Sequence, residues 1–197
     1  MANTTMGKVT TWRRKESKQV ADCRVFKVRE DFSESSDGKD ASFFVIESPE
    51  WVNIIPVTKD GHVVLIEQYR HGIGEITLEI PGGLVDEGEN PKAAAERELV
   101  EETGYIPREV VLIGKSRPNP AIQDNWVYHY LAIDCEKTDE VKFDDHESIV
   151  TKIVPMSYVP KLFTNGKITH SLVVAAFHWF SIYMYQESVQ KNESSIG

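Results

Sequence analysis

Glu98, Glu101 and Glu102 fall within five consecutive positions of the stretch Gly82–Tyr105 (GGLVDEGENPKAAAERELVEETGY), which carries seven carboxylates. If the stretch is helical, the three glutamates project within an arc of roughly 100°. Like charges at i,i+3 and i,i+4 cost roughly a few tenths of a kcal/mol per pair. They also sit near the helix C-terminus, where the backbone dipole is already negative. Both effects oppose folding, and a hard divalent cation reverses both, because carboxylate oxygens are its preferred ligands. The competing reading is a solvated acidic face paired with Lys92 and Arg97. Three features favour the cation. Gly82-Gly83 follows a strand directly, so backbone carbonyls can approach the same ion. Glu89 and Arg97 can tie the loop to the helix. A strand–loop–helix unit is also a rigid support for a site.

The elements that must position these residues can be read from pattern. Asn90 is a good N-cap and Pro91 suits the first helical position. Ala93–Glu102 are mostly strong helix formers, and Gly104 can take the left-handed conformation that ends a helix. Strands are expected over Cys23–Glu30, Ser42–Ile46, Val52–Pro56, Val63–Gln68 and Ile76–Ile80 before this helix, with turns at SerAspGlyLys and LysAspGly. In the last of these strands Ile76, Leu78 and Ile80 share the apolar face and Glu79 points the opposite way. Val110–Arg117, Val127–Ile133 and Ile149–Pro155 follow as strands, then helices over Tyr158–Phe163 and Ser171–Ser188. Trp179, on the apolar last helix, reads as core. The order implies a mixed α/β domain with helices packed around a sheet. Three segments result: residues 1–50 as a small N-terminal sheet, 51–190 as the main domain, and 191–197 as a frayed tail.

Composition narrows the function. A chain of 197 residues with 41% apolar and 27% charged residues is ordinary for a globular protein. A net charge of −9 argues against a broad nucleic-acid surface. Two cysteines, Cys23 and Cys135, make no disulfide framework and read as free thiols in a reducing compartment. The N-terminus lacks the apolar core of a signal peptide, and the apolar run Leu172–Tyr185 is too short to span a bilayer. A cytoplasmic location and no membrane partner are expected. The six histidines show no zinc spacing, and no GxSxG, Walker or Rossmann motif is present.

The stretch resembles the Nudix hydrolase signature. In order it supplies Gly83, Glu89, Arg97-Glu98-Leu99, Glu101-Glu102 and Gly104-Tyr105, with the spacing that the signature requires. Tyr105 is the one departure, an aromatic at a usually aliphatic position. The resemblance implies an α/β/α sandwich around a mixed sheet, with a small N-terminal antiparallel sheet. It implies hydrolysis of a nucleoside diphosphate linked to another moiety, with Mg2+ or Mn2+ as cofactor. It assigns metal ligation to Glu98 and Glu102, with help from Glu101 and the Gly82 carbonyl, and an orienting salt bridge to Arg97 and Glu89.

The stretches GluGlnTyrArgHisGly (67–72) and LeuGluIleProGlyGly (78–83) are similar to the nucleoside diphosphate sugar branch, which includes ADP-ribose pyrophosphatases and GDP-mannose hydrolases. That branch makes Arg70 a diphosphate contact, with a plain surface arginine as the alternative. Glu79 is read as touching metal or ribose, or as part of a strand-edge salt bridge. Glu147 is the best fit for a loop glutamate that reaches the metals or activates water. Asp145 and Glu140 remain open for that role, as does a merely exposed acidic loop. Pro118 or Pro120 would shape the sugar side of the pocket, and Trp51 would stack on a base or pack in the core. In this branch the N-terminal strands cross to a second subunit, so a swapped homodimer is expected, its isologous interface covering the sheet's apolar side. The expected activity is cleavage of a nucleoside diphosphate sugar to a nucleoside monophosphate and a sugar phosphate. A nucleoside triphosphate or RNA-end pyrophosphohydrolase, and a non-catalytic nucleotide-sugar sensor, stand as the alternatives.

Overall fold

The computed structural model describes residues 8–138 and 148–194. It divides into two compact units. The first holds the described residues up to Ser48 together with Asn119–Asp124; the second holds Pro49–Pro118 and the chain from Asn125.

The first unit is an antiparallel sheet of β1 (Trp12–Asp22), β2 (Lys27–Ser35) and β3 (Asp40–Glu47), in that order. The strand expected at Cys23–Glu30 begins later, because Cys23 and Phe26 close a tight turn through Cys23 N to Phe26 O (2.9 Å), with Arg24 at φ 68°. β1 has no counterpart among the expected strands. Its sequence is largely charged, and no apolar alternation betrays it. Cross-strand charge supports it instead, with Arg13–Glu34 at 2.8 Å and Lys15–Asp40 at 2.7 Å. Asn119–Asp124 joins this unit although it lies far along the chain. Ile46 N donates to Ile122 O (2.7 Å), and Arg29 reaches both Asp124 (2.8 Å) and Glu47 (2.6 Å).

The second unit is a mixed sheet in the order β11-β5-β4-β10-β8. Its strands are β4 (Trp51–Thr58), β5 (His62–Arg70), β6 (Glu75–Glu79), β7 (Gly82–Leu84), β8 (Tyr105–Ile106), β9 (Glu109–Ser116), β10 (Val127–Lys137) and β11 (Val150–Pro155). β6 pairs with β5, β7 with β4, and β9 with β10. β4 and β10 run parallel and the other pairs antiparallel. Alternation along the strands divides the core into two layers. Val52 and Ile54 of β4, Val64 of β5, and Tyr130 and Ala132 of β10 pack with Ala94, Ala95 and Leu99 of helix α1 (Pro91–Thr103). Their neighbours Ile55, Val63, Leu65 and Leu131 face the other way. There they pack with Val159 and Leu162 of α2 (Val159–Thr164) and with Val173, Ala176 and Phe177 of α3 (Ser171–Ser194). One helix layer on each sheet face is the sandwich expected from the motif. Trp179 packs against the α3-side core, as its position on the apolar helix implied.

Three details depart from expectation. α3 continues through Ser194, past the point where a frayed tail was expected. β7 and β8 are too short to leave a periodic signal. On β6 the apolar face is split, for Ile76 is 71% exposed while Thr77 and Glu79 are buried. A carboxylate tolerates burial when it is paired and hydrogen-bonded, and Glu79 is both. Among the described residues no helix is long and apolar enough to cross a membrane.

Candidate active site

The site is built where β7 lies across β4 and α1 packs on both. Asn53 is in register with Gly82 and Val52 with Gly83, and Ile54 N donates to Pro81 O at 2.9 Å. A Cβ on Gly82 would collide with the Val52 carbonyl and lie 2.8 Å from Asn53 Cα, so only glycine allows this approach of backbone to backbone. A Cβ on Gly83 would fall on the Glu98 carboxylate. The space left by the missing side chain is therefore filled by an α1 carboxylate.

α1 begins and ends as its sequence dictates. Asn90 Oδ1 accepts from Lys92 N at 2.9 Å, Pro91 occupies the first turn, and Gly104 takes φ 69°. Ala94, Ala95 and Leu99 face the core, and so does Glu102, whose burial puts a carboxylate on the inner side of the helix. Glu102 Oε2 accepts from Gly82 N at 2.9 Å. Consecutive residues of β7 thus meet two carboxylates one helical turn apart, Glu102 at Gly82 and Glu98 at Gly83.

Arg97 organises the remaining acids. Its Nε and Nη2 donate to the two oxygens of Glu89, both at 3.0 Å, and Nη2 also reaches Leu84 O at 3.1 Å. Nη1 donates to Glu98 at 2.8 Å and to Glu101 at 3.0 Å. The expected bridge to Glu89 is present, and the contacts to Glu98 and Glu101 add to it. Hydrogen bonds from Arg97 hold the Glu89 carboxyl below its ordinary range, while Glu89 and then Glu98 hold the guanidinium above its own. Arg97 therefore stays charged and fixes the loop to the helix.

This donor set suits a hard divalent cation. It consists of carboxylate and backbone oxygens beside a glycine cradle that a Cβ would fill, with no thiolate or imidazole. The acids do not converge on one point, however. Arg97 holds Glu98 and Glu101, the Gly82 amide holds Glu102, and among the described residues no three His, Cys, Asp or Glu are grouped as a ready cage.

Arg70 and Glu79 are brought together with each other. Arg70 Nε and Nη2 fork the Glu79 carboxylate at 2.8 and 2.7 Å, and Thr77 Oγ1 donates to it at 2.6 Å. Burial pushes the Glu79 carboxyl up, but the hydrogen bonds from Arg70 and Thr77 outweigh it and hold it below its ordinary range. The salt-bridge alternative for Glu79 is thus the geometry seen, with Arg70 as its partner. Arg70 remains 41% exposed. His170, at the start of α3, is held below its ordinary value by burial, and its Nδ1 has no hydrogen-bond partner among the described residues.

The other expected residues fall elsewhere. Trp51 alternates with Val52 and so lies on the sheet face opposite to α1, with its Nε1 buried and unpartnered among the described residues. Pro120 lies in Asn119–Asp124, within the first unit. Glu147, with Asp145 and Glu140, lies outside the described residues. Sequence reading missed Thr77, whose i−2 spacing from Glu79 on a strand was the available signal. It also missed the buried chain Ser116 Oγ–His129 Nε2 (2.8 Å) and His129 Nδ1–Asn53 Oδ1 (2.7 Å). Asn53 Nδ2 continues that chain to Leu172 O at 3.1 Å, so the strand beside Gly82 is pinned to α3.

Comparison with known proteins gives a consistent result. The sequence profile of the NUDIX domain matches residues 49–177. The chain is 29% identical over 148 residues to a methanol dehydrogenase activator from Bacillus methanolicus, covering 75% of this chain and 80% of that protein. It is 26% identical over 150 residues to an ADP-ribose pyrophosphatase from Bacillus subtilis (strain 168), covering 76% and 81%. A crystal structure of an ADP compounds hydrolase superposes with a TM-score of 0.81 at 23% identity, covering 92% of this chain and 98% of that one, and shares its fold.

Proposed function

The chain belongs to the NUDIX domain family, and on that premise we propose that it hydrolyses the diphosphate bond of nucleoside diphosphate sugars with Mg2+ or Mn2+. The products are a nucleoside monophosphate and a sugar phosphate. ADP-ribose is the first candidate substrate, supported by the activity named for the Bacillus subtilis relative, and GDP-mannose is the second. One observation carries the reading: β7 lays Gly82 and Gly83 against the carboxylates of Glu102 and Glu98. Two partly or fully buried carboxylates one helical turn apart beside glycine backbone supply the oxygen ligands that a hard divalent cation prefers.

Glu98 and Glu102 would hold the ion, with Glu101, the Gly82 carbonyl and Glu147 completing the set. Bound there, a divalent cation neutralises phosphate charge and lowers the pKa of water. The chain's own groups do the rest. Arg97 and Glu89 keep the loop fixed to α1, so the backbone that carries the acids holds one geometry. Arg70, forked by Glu79, presents a fixed cation to the diphosphate. A carboxylate, Glu147 by the family pattern, takes the proton from the attacking water. The water oxygen forms the new bond to phosphorus as the anhydride bond breaks, and the second phosphate leaves as the sugar phosphate or the nucleotide.

The N-terminal unit is proposed to pair with its copy in a homodimer. Trp12 and Phe43 stack edge to face with centroids 5.0 Å apart and stay over 40% exposed, and Phe44 is 58% exposed. Such side chains suit an isologous interface. Light scattering that finds only monomer removes this claim. A cytoplasmic location is consistent with the free thiols Cys23 and Cys135.

The deciding experiment is a panel of ADP-ribose, GDP-mannose, UDP-glucose, dinucleotides and nucleoside triphosphates with Mg2+ or Mn2+, products identified by chromatography. Cleavage of a nucleoside diphosphate sugar at the diphosphate, abolished by chelation, is expected. Preferred cleavage of triphosphates or of RNA 5′ ends replaces the reading with a pyrophosphohydrolase. Binding without turnover replaces it with a sensor.

A further inference from the structure

We propose, resting on the function above, that Asn53 and His129 are positioning residues for the metal site: their buried, hydrogen-bonded pair fixes Gly82, whose carbonyl is proposed as a ligand of the cation.

Gly82, Asn53, His129 and Gly114 lie in one row across β7, β4, β10 and β9. Asn53 alternates with Val52 and Ile54, which face α1, so its side chain points to the α3 side. There it is held from two directions. Nδ2 donates to Leu172 O of α3 at 3.1 Å, and Oδ1 accepts from His129 Nδ1 at 2.7 Å. These bonds fix the proton positions. Leu172 O can only accept, which orients the amide, and Oδ1 then requires the proton on Nδ1. Burial pushes His129 down to about 4, so the ring is neutral and its Nε2 accepts from the Ser116 hydroxyl at 2.8 Å. Each polar atom of the two side chains has a partner, and only one orientation satisfies them all. A Cβ on Gly114 would fall on the Trp179 ring, so α3 rests on the row at Gly114 as well as at Asn53. The helix rises roughly 10.5 Å from Leu172 to Trp179. Two strand spacings from Asn53 to Gly114 come to roughly 9.6 Å, so α3 follows the row.

The other end of the row is the metal site. Ile54 N donates to Pro81 O at 2.9 Å, which makes Asn53 and Gly82 a non-hydrogen-bonded pair, the closer kind in an antiparallel ladder. Asn53 Cα and Cβ would stand 2.8 and 3.0 Å from a Cβ on Gly82. In such a pair the backbone groups of Gly82 point away from β4. Its N–H reaches Glu102 Oε2 at 2.9 Å, and its carbonyl leaves the strand on the same edge. Gly82 therefore rests on the β4 residue whose side chain is tied to both β10 and α3. A shift of Asn53 moves the Gly82 carbonyl relative to Glu102. Groups that orient a metal ligand without touching the ion change its affinity by about 10- to 100-fold when removed.

The test separates folding from cation binding. Replacing both members of a buried polar pair by apolar groups of similar shape leaves stability nearly unchanged. Asn53→Leu/His129→Leu is therefore expected to melt near wild type and to bind Mn2+ about tenfold more weakly. The binding is read on the full chain without substrate, from the electron paramagnetic resonance signal of the free ion. Two single variants make the comparison independent of the double. In His129→Asn the amide nitrogen takes the place of Nδ1 and can donate to Asn53. In His129→Gln it takes the place of Nε2 and serves only Ser116. His129→Asn should keep wild-type Mn2+ affinity, and His129→Gln should lose it as the double variant does. Thermal melts confirm that each variant is folded. Equal Mn2+ affinity in His129→Asn and His129→Gln, or wild-type affinity in the folded double variant, overturns the proposal. So does a wild type that binds no Mn2+. A wild type that binds Mn2+ yet cleaves no nucleoside diphosphate sugar overturns the proposed function and leaves this inference standing.

Discussion

Adding one methyl group at Gly82 or at Gly83 separates the structural from the chemical role of β7. In Gly82→Ala the new Cβ meets backbone, the Val52 carbonyl and Asn53 Cα at 2.8 Å, and neither can yield without moving β4. Overpacking of this kind costs about 1–3 kcal/mol. At roughly 2–4 °C per kcal/mol for a chain of this size, the melting temperature should fall by about 2–12 °C. In Gly83→Ala the methyl meets the end of the Glu98 side chain, which can swing aside. Neither glycine has a left-handed φ, so alanine brings no backbone strain at either position. The stability cost is then the weakened Arg97–Glu98 contact, about 1 kcal/mol or less for a pair that is 30% and 16% exposed. The chemical cost is larger, because the displaced carboxylate is one of the two proposed to hold the cation. Loss of one preorganised charged contact lowers kcat by about 10²–10³. Differential scanning fluorimetry and initial rates on ADP-ribose with saturating Mg2+ read the two effects separately. Gly83→Ala should be near wild type in melting and nearly inactive. If it melts as low as Gly82→Ala, or turns over at the wild-type rate, the account of the glycine cradle is wrong.

Glu102→Gln keeps an oxygen acceptor for the Gly82 amide, so melting should move by only a few degrees while turnover falls by about 10² or more; near-normal turnover would contradict the metal assignment. Arg70→Met strips the buried Glu79 of its fork and should cost about 2–4 kcal/mol, below the fully buried range because Arg70 is 41% exposed. The Glu79 carboxyl is depressed in the folded state, so its contribution is present at neutral pH and is lost as pH falls through the carboxylate range. Urea melts against pH should show that acid-linked loss shrink or reverse in Arg70→Met, where burial of Glu79 is no longer opposed by the guanidinium. His129 is fully buried and pushed down to about 4 by that burial, so the folded protein stays neutral there while the unfolded chain takes a proton below about 6.5. Stability is therefore lost as pH falls from about 6.5 to about 4, by about 3 kcal/mol, and His129→Leu should remove that part of the slope. An unchanged slope in the variant would show that the imidazole is not the group responsible.

Local rules made α1 legible in the sequence. Its start at Asn90-Pro91, its end at Gly104 and the face shared by Glu98, Glu101 and Glu102 all depend on contacts within a few residues, and the structure keeps each of them. The strand expected over Val52–Pro56 was legible too, and strand period sends Val52 and Ile54 to one core layer and Ile55 to the other. β1 escaped because its support is charge on a partner strand, as in Arg13–Glu34, and no local pattern encodes that.

Three decisions belonged to the tertiary structure. Arg97 binds Glu98 and Glu101 as well as Glu89, and nothing in the spacing chose among these acids. Glu79 turned inward although it sits among apolar neighbours, because Arg70, nine residues earlier, arrives across the β5–β6 pair to neutralise it. Glu102 and Glu98 became neighbours of Gly82 and Gly83 only when β7 settled on β4. Sequence determined which residues carry charge and how each element is bounded. Folding alone decided which charges meet, because that depends on the packing of elements far apart in the chain.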